Sequence, residues 1–291
     1  MQIAYHIGTH YTDNDKLLKC LLKNKEDLLN QGILVPGPGQ YRDQIKSAVF
    51  RAIEEEDAAA IRAEFLEAAL DGTPADRLVI SNDQFLSGPR RILERGQLYR
   101  LSRQRTEALN RIFGQDQLEI HLAIRNLASF IPEAFAPSQD QTFEQFLQDT
   151  DLDMLSWTDV VVAIREAAPY ANITVWCNED TPLLWSQLIR ELSGIDPTSK
   201  IVGGFDLLAD IMSDEGMRRL MDYLKSHPPQ TEVQKRRVIA AFLDKFALED
   251  EIEEELDLPG WTEEIVDDLT EAYEEDVYNI SRIPGVTFIS P

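Results

Sequence analysis

Four stretches of this chain are short, apolar at nearly every position and bounded by polar residues: Gln2–Ile7 (QIAYHI), Arg77–Ser81 (RLVIS), Leu118–Ile124 (LEIHLAI) and Ile173–Cys177 (ITVWC). Their length and their β-branched and aromatic content predict strands rather than buried helix segments. A shorter strand is expected at Gly32–Val35, followed by a Pro36-Gly37-Pro38-Gly39 loop. Helical periodicity fills the intervals. It runs over Asp15–Gln31, Gln44–Leu70 with a break near Glu56, Gly96–Phe113, Thr158–Ala168 and Pro182–Leu192. Strands apolar on both faces and separated by helices predict an α/β fold, a parallel sheet wrapped by helices. From Asp206 onward the pattern is helical: Leu207–Leu224, Thr231–Leu248 and Thr262–Arg282. The predicted division is an α/β core over residues 1–205 and an acidic helical region over 206–291.

Composition narrows the partners. The net charge is −24 over 291 residues, which disfavours nucleic acid and anionic membrane surfaces. Between Glu249 and Asp276 there are fifteen Asp or Glu and no Lys or Arg. These acidic helices are expected to be a solvated face, or to contact a basic partner surface. Lys235-Arg236-Arg237 and Lys245 form a basic patch just before them. No apolar run approaches membrane-span length, and the start lacks a secretory pattern. The two cysteines, Cys20 and Cys177, give neither a disulfide framework nor a metal-ligand spacing. Together these predict a cytoplasmic protein.

Ligands of open parallel sheets bind beyond the carboxyl ends of the strands. Those ends carry Gly8-Thr9-His10-Tyr11-Thr12-Asp13, then Ser81-Asn82-Asp83, then Arg125-Asn126, then Asn178-Glu179-Asp180. The rim therefore gathers several carboxylates around one arginine. Gly8 to Asp15 has the layout of a phosphate loop between strand and helix, yet it carries Asp13 and Asp15. Either Asp is also a good N-cap for the following helix. A hard-cation site from Asp13, Asp15, Asp83 and Glu133 is chemically conceivable, but no metal is expected. The histidines show no zinc spacing, and nucleotide-binding glycine fingerprints are missing from the sequence.

The segment HIGTHYT resembles the opening of the bacterial branch of the sulfotransferase-like P-loop proteins, whose pattern runs His-Ile-Gly-x-His-Lys-Thr-Gly-Thr-Thr. LVISNDQF is similar to that family's Ser-x-Glu-x-Phe strand, and LAIRNLASF to its Arg-bearing third strand. The likeness covers about residues 1–190. It implies a nucleotide donor, 3′-phosphoadenosine 5′-phosphosulfate, with Gly8, Thr9, His10 and Thr12 cradling its phosphosulfate. It implies Arg125 as the contact for the 3′-phosphate, with Ser129 lying between it and the family's Ser position, and Asp83 as acceptor base. Asn82, Asn126 and Glu179, at the strand ends, are further candidate ligand contacts. The sequence departs from the pattern where Tyr11 replaces Lys, Asp13 replaces Gly and Glu133 replaces a Ser eight residues after the arginine. Lys16 or Lys19 would have to swing back to replace the missing Lys. Two functions follow as expectations. One is a divergent, sulfotransferase-like protein with impaired or altered donor binding, acting as a binding or interaction protein or on an altered ligand. The other is an active sulfotransferase transferring a sulfonate group to a hydroxyl acceptor.

Overall fold

The structure, a computed structural model, describes residues 1–136, 142–147, 150–196, 199–248, 258 and 260–291. At its centre lies a six-stranded parallel sheet of order β2-β3-β1-β6-β7-β8. The strands are β1 (Gln2–His6), β2 (Ile33–Leu34), β3 (Arg77–Ser81), β6 (Gln117–Ile124), β7 (Asn172–Cys177) and β8 (Val286–Ile289). All four long apolar runs are strands, and β1 sits between β3 and β6. Because both faces are covered, successive residues enter different cores. Ile3, Tyr5 and Ile7 join one cluster, while Ala4 joins the other.

The larger face carries α3 (Pro38–Ile53), α4 (Ala58–Leu70), α5 (Ser102–Phe113), α6 (Leu127–Phe135), α8 (Trp157–Ala167) and α13 (Glu263–Ile280). The other carries α1 (Lys16–Lys23), α2 (Lys25–Leu29) and α9 (Thr181–Ser193). A short α7 (Phe143–Leu147) packs its Phe146 into the larger cluster. A satellite core joins α10 (Asp206–Ile211), α11 (Asp214–Ser226) and α12 (Glu232–Phe246) through Leu208, Met212, Leu220 and Ile239. No described helix is long and apolar enough to cross a membrane.

Several expected boundaries move for local reasons. Pro38 does not extend the loop but starts α3, at the first helical position where its missing N–H costs nothing. The Asp15–Gln31 helix breaks at Asn24. Its side chain donates to Cys20 O (2.8 Å) of the preceding turn and to Val202 O (2.9 Å), and accepts from Val202 N (2.8 Å). The segment from Gly96 to Arg100 is not helical. Arg95 and Gly96 both have positive φ and close a hairpin between β4 (Leu93–Glu94) and β5 (Gln97–Leu98). The helix α6 and the edge strand β8 complete the set.

Residues 206–291 are not detached from the core. β8 pairs in parallel with β7, Ile173 opposite Val286 and Trp176 opposite Ile289. Asp276 of α13 is buried and caps α8, accepting from Trp157 N (2.7 Å), Thr158 N (3.0 Å) and Ser156 Oγ (2.8 Å). The basic patch turns toward α9, with Lys235 Nζ donating to Ser186 Oγ (2.7 Å) and Arg236 bonding Gln187. Residues 249–257 and 259 of the acidic run lie outside the described residues.

Candidate functional site

The sheet order reverses at β1. The chain leaves β1 toward α1 on one face and leaves the neighbouring β6 toward α6 on the other. Such a switch point opens a crevice beyond the strand ends. The expected rim residues gather there. Thr9 is wholly buried and donates from Oγ1 (2.9 Å) and N (3.2 Å) to Ala123 O, tying the β1 exit to β6. Thr12 Oγ1 donates to Thr9 O (2.7 Å). Gly8, at φ +101°, lies so close to the β3 exit that a Cβ there would stand 2.9 Å from Asp83 Cα. Only glycine fits that contact.

His10 is buried against Tyr99, its ring stacked at 5.7 Å. Nδ1 shares a 2.8 Å hydrogen bond with the Tyr99 hydroxyl, while Nε2 has no partner among the described residues. Burial, and then the positive charge of Arg105, press its pKa down to about 4, so it is neutral at pH 7.

Two anion-holding features stand at this mouth, and each is occupied by the chain's own carboxylate. The first is the N-terminus of α1. Asp13, buried, accepts the amide of Leu17 at its Oδ2 (3.0 Å), taking an orphan N–H that a phosphate would use. Asp15, the N-cap residue, accepts no side-chain hydrogen bond from the helix amides. It forms a two-pronged ion pair with Arg42 of α3. The second feature is Arg125, buried to 4 % exposure. Its Nη1 donates to Tyr11 O (2.5 Å) and pairs with the Glu133 carboxylate, and Nε donates to Ser129 Oγ (3.2 Å). Glu133 thus occupies the guanidinium. Lys16 is held by Asp210 (2.8 Å), and Lys19 reaches only the Asn14 carbonyl (3.4 Å).

The remaining rim residues divide into two groups. Asp83 is partly buried, and its carboxyl is held above the usual range, first by burial, then by the charge of Asp15 and, less, of Asp13. Arg42 pulls the other way. Asn82 accepts from Gln84 N (3.2 Å) and shapes the β3 exit. Asn126 and Glu179 are brought together, but they serve each other. Glu179 accepts from Asn126 N (2.8 Å) and from Tyr273 Oη (2.8 Å) of α13, and Asn126 caps α6 through Ala128 N (2.9 Å). Among the described residues no group of three His, Cys, Asp or Glu converges to hold a metal ion.

Sequence reasoning missed a cavity beside this mouth. It holds about 720 Å³ between α3, the β3 exit and α5. Arg42, Lys46, Arg91 and Arg105 line it, with Asp43 as the one carboxylate among its lining residues. Positions 42, 46, 49, 50 and 53 of α3 all face it. That i, i+4, i+7, i+8, i+11 spacing was the available signal.

No family model, curated protein or solved structure matches the chain.

Proposed function

We propose that the chain is a divergent protein of the sulfotransferase-like P-loop type that has given up its nucleotide donor and works as a binding protein at the same rim. One observation carries this reading: Glu133 sits on Arg125 and Asp13 on an α1 amide, the two places to which the family resemblance would assign phosphate groups. The donor 3′-phosphoadenosine 5′-phosphosulfate does not fit these residues. Its phosphates would have to displace two carboxylates and then lie beside them. Each lost charged hydrogen bond removes about 1.5–3 kcal/mol, before any repulsion is added. The family resemblance at HIGTHYT and the switch-point placement of that loop support the architecture.

A second reading keeps an active sulfotransferase, and the state of Asp83 favours it. A carboxyl held above its usual range beside a crevice is a better proton acceptor than an ordinary surface Asp. Calorimetric titration with 3′-phosphoadenosine 5′-phosphate separates the two. The binding-protein reading expects no heat at millimolar nucleotide. Micromolar binding that is abolished by Arg125→Ala would establish the transferase instead.

A further inference from the structure

The cavity beside the crevice has the opposite electrostatic balance. Of its four cations, Arg42 is neutralised by Asp15, and Arg91 lies against Glu94 (2.7 Å). The other two have no counter-ion. Lys46 makes no ion pair or hydrogen bond among the described residues. Arg105 spends only Nη1, donating to Phe85 O (2.6 Å) and Gln84 O (3.4 Å), so Nε and Nη2 donate to no described residue. Arg105 is half-buried and close enough to Arg91 for the two charges to repel. Burial first, and Arg91 second, press its pKa down. A desolvated guanidinium beside a second guanidinium, with three of its five N–H donors unspent, is an incomplete arrangement. In a chain of net charge −24 such a local excess of positive charge runs against the general field.

The rest of the lining is mixed: Asp43, Ser47, Asn82 and Gln84 are polar, and the others are mostly apolar. Ile45, Val49 and Ile53 of α3 face Phe85 across the space, and Phe50 is 63 % exposed at its edge. Tyr5 also lines it, with a fully buried hydroxyl that has no hydrogen-bond partner among the described residues. A volume near 720 Å³ lies in the range of sites for organic molecules, far beyond an inorganic ion.

We infer that this cavity binds a small organic oxyanion with an apolar body, the anionic head on Arg105 and Lys46 and the body against Ile45, Val49 and Phe85. The inference goes beyond the nucleotide reading and does not depend on it, since neither Arg105 nor Lys46 touches the Arg125 mouth in any hydrogen bond or ion pair.

The test is calorimetric titration of the full chain with 2-naphthoate, 2-naphthyl phosphate and the neutral 2-naphthamide. At least one anion should bind, with the amide about tenfold weaker or worse. Which anion binds tighter separates a carboxylate head from a phosphate head. Lys46→Gln, at an exposed residue without partners, should weaken the anion several-fold and leave the amide unchanged. Arg105→Gln should weaken it further, by about tenfold. Arg105 also holds the Gln84 and Phe85 carbonyls, so Lys46→Gln is the variant free of folding effects. The inference is overturned if the amide binds as well as both anions, if Lys46→Gln leaves anion affinity unchanged, or if neither anion binds at millimolar concentration. Titration of 3′-phosphoadenosine 5′-phosphate against the same two variants keeps the readings apart, because its binding, if any, would follow Arg125 and not these residues.

Discussion

The crevice at β1 and β6 and the cavity under α3 share a wall, the β3 exit at Asn82 to Phe85, yet they treat an anion in opposite ways. In the crevice the one buried arginine carries Glu133, and the helix N-terminus carries Asp13. In the cavity, cations outnumber carboxylates, and Arg105 and Lys46 are left without a counter-ion. The crevice has the backbone layout of an anion site without the charge balance of one. The cavity has no recognisable loop motif and keeps the balance. What decides anion binding is the charge left over after internal pairing, not the presence of an arginine or a helix end.

The shared wall is the place to break the comparison. Gly8→Ala would drive a Cβ into the Asp83 backbone at a φ of +101°. The combined strain and overpacking should cost about 4 kcal/mol in chemical denaturation. A loss below about 1 kcal/mol would mean that the two mouths do not share a rigid wall. Next in size is the pH response of the buried histidines. His10 falls to about 4, and burial lowers His6 as well. Between pH 4 and 6.5 the unfolded chain binds protons that the folded chain refuses. Stability therefore rises with pH through that window, is full above about 6.5, and is lost as pH falls toward 4. His10 contributes about 3 kcal/mol of this at most. His10→Gln should flatten the rise measured by urea unfolding, and an unchanged slope would remove His10 from the account.

Arg125→Ala comes third. It strips Glu133, Ser129 and the Tyr11 carbonyl of their common partner. Glu133 is 40 % exposed and can return to water, which limits the loss to about 2–3 kcal/mol. The naphthoate affinity of the cavity should be unaffected, and a parallel fall in it would merge the two regions into one site. The smallest effect is expected from Asp15→Asn. The Arg42–Asp15 pair is roughly one-third exposed on each side, so stability should change by about 1 kcal/mol or less. Releasing Arg42 into the cavity should nonetheless strengthen anion binding there, measured by the same calorimetry, and weaker binding would contradict the charge-balance argument.

The sheet was legible because β1, β3, β6 and β7 are apolar on both faces, a pattern that needs no partner to be seen. β8 was not. Val286–Ile289 is a half-exposed edge strand of four residues, too short and too mixed to stand out from the turn before it. A cap at Asp13 or Asp15 was legible because capping is local, but not which of the two, since Asp13 takes the Leu17 amide and Asp15 turns to Arg42. Asp276 was hidden inside an acidic run, and its burial under α8 depends on how α13 docks. Glu133 could be placed eight residues from Arg125 in the sequence, but not on the guanidinium. About two helical turns of α6 had to form first. Arg42, Lys46 and Arg105 belong to two helices sixty residues apart in the chain, and only packing against the β3 exit gives them a common cavity.

The central claim, that the chain's own carboxylates occupy Arg125 and the α1 N-terminus and so exclude a nucleotide's phosphates, is tested most directly by titrating 3′-phosphoadenosine 5′-phosphate into the unmodified chain and into Glu133→Ser. The account predicts no binding to the first and detectable binding to the second, stronger by about tenfold or more. Tight binding to the unmodified chain, or no difference between the two, would contradict it.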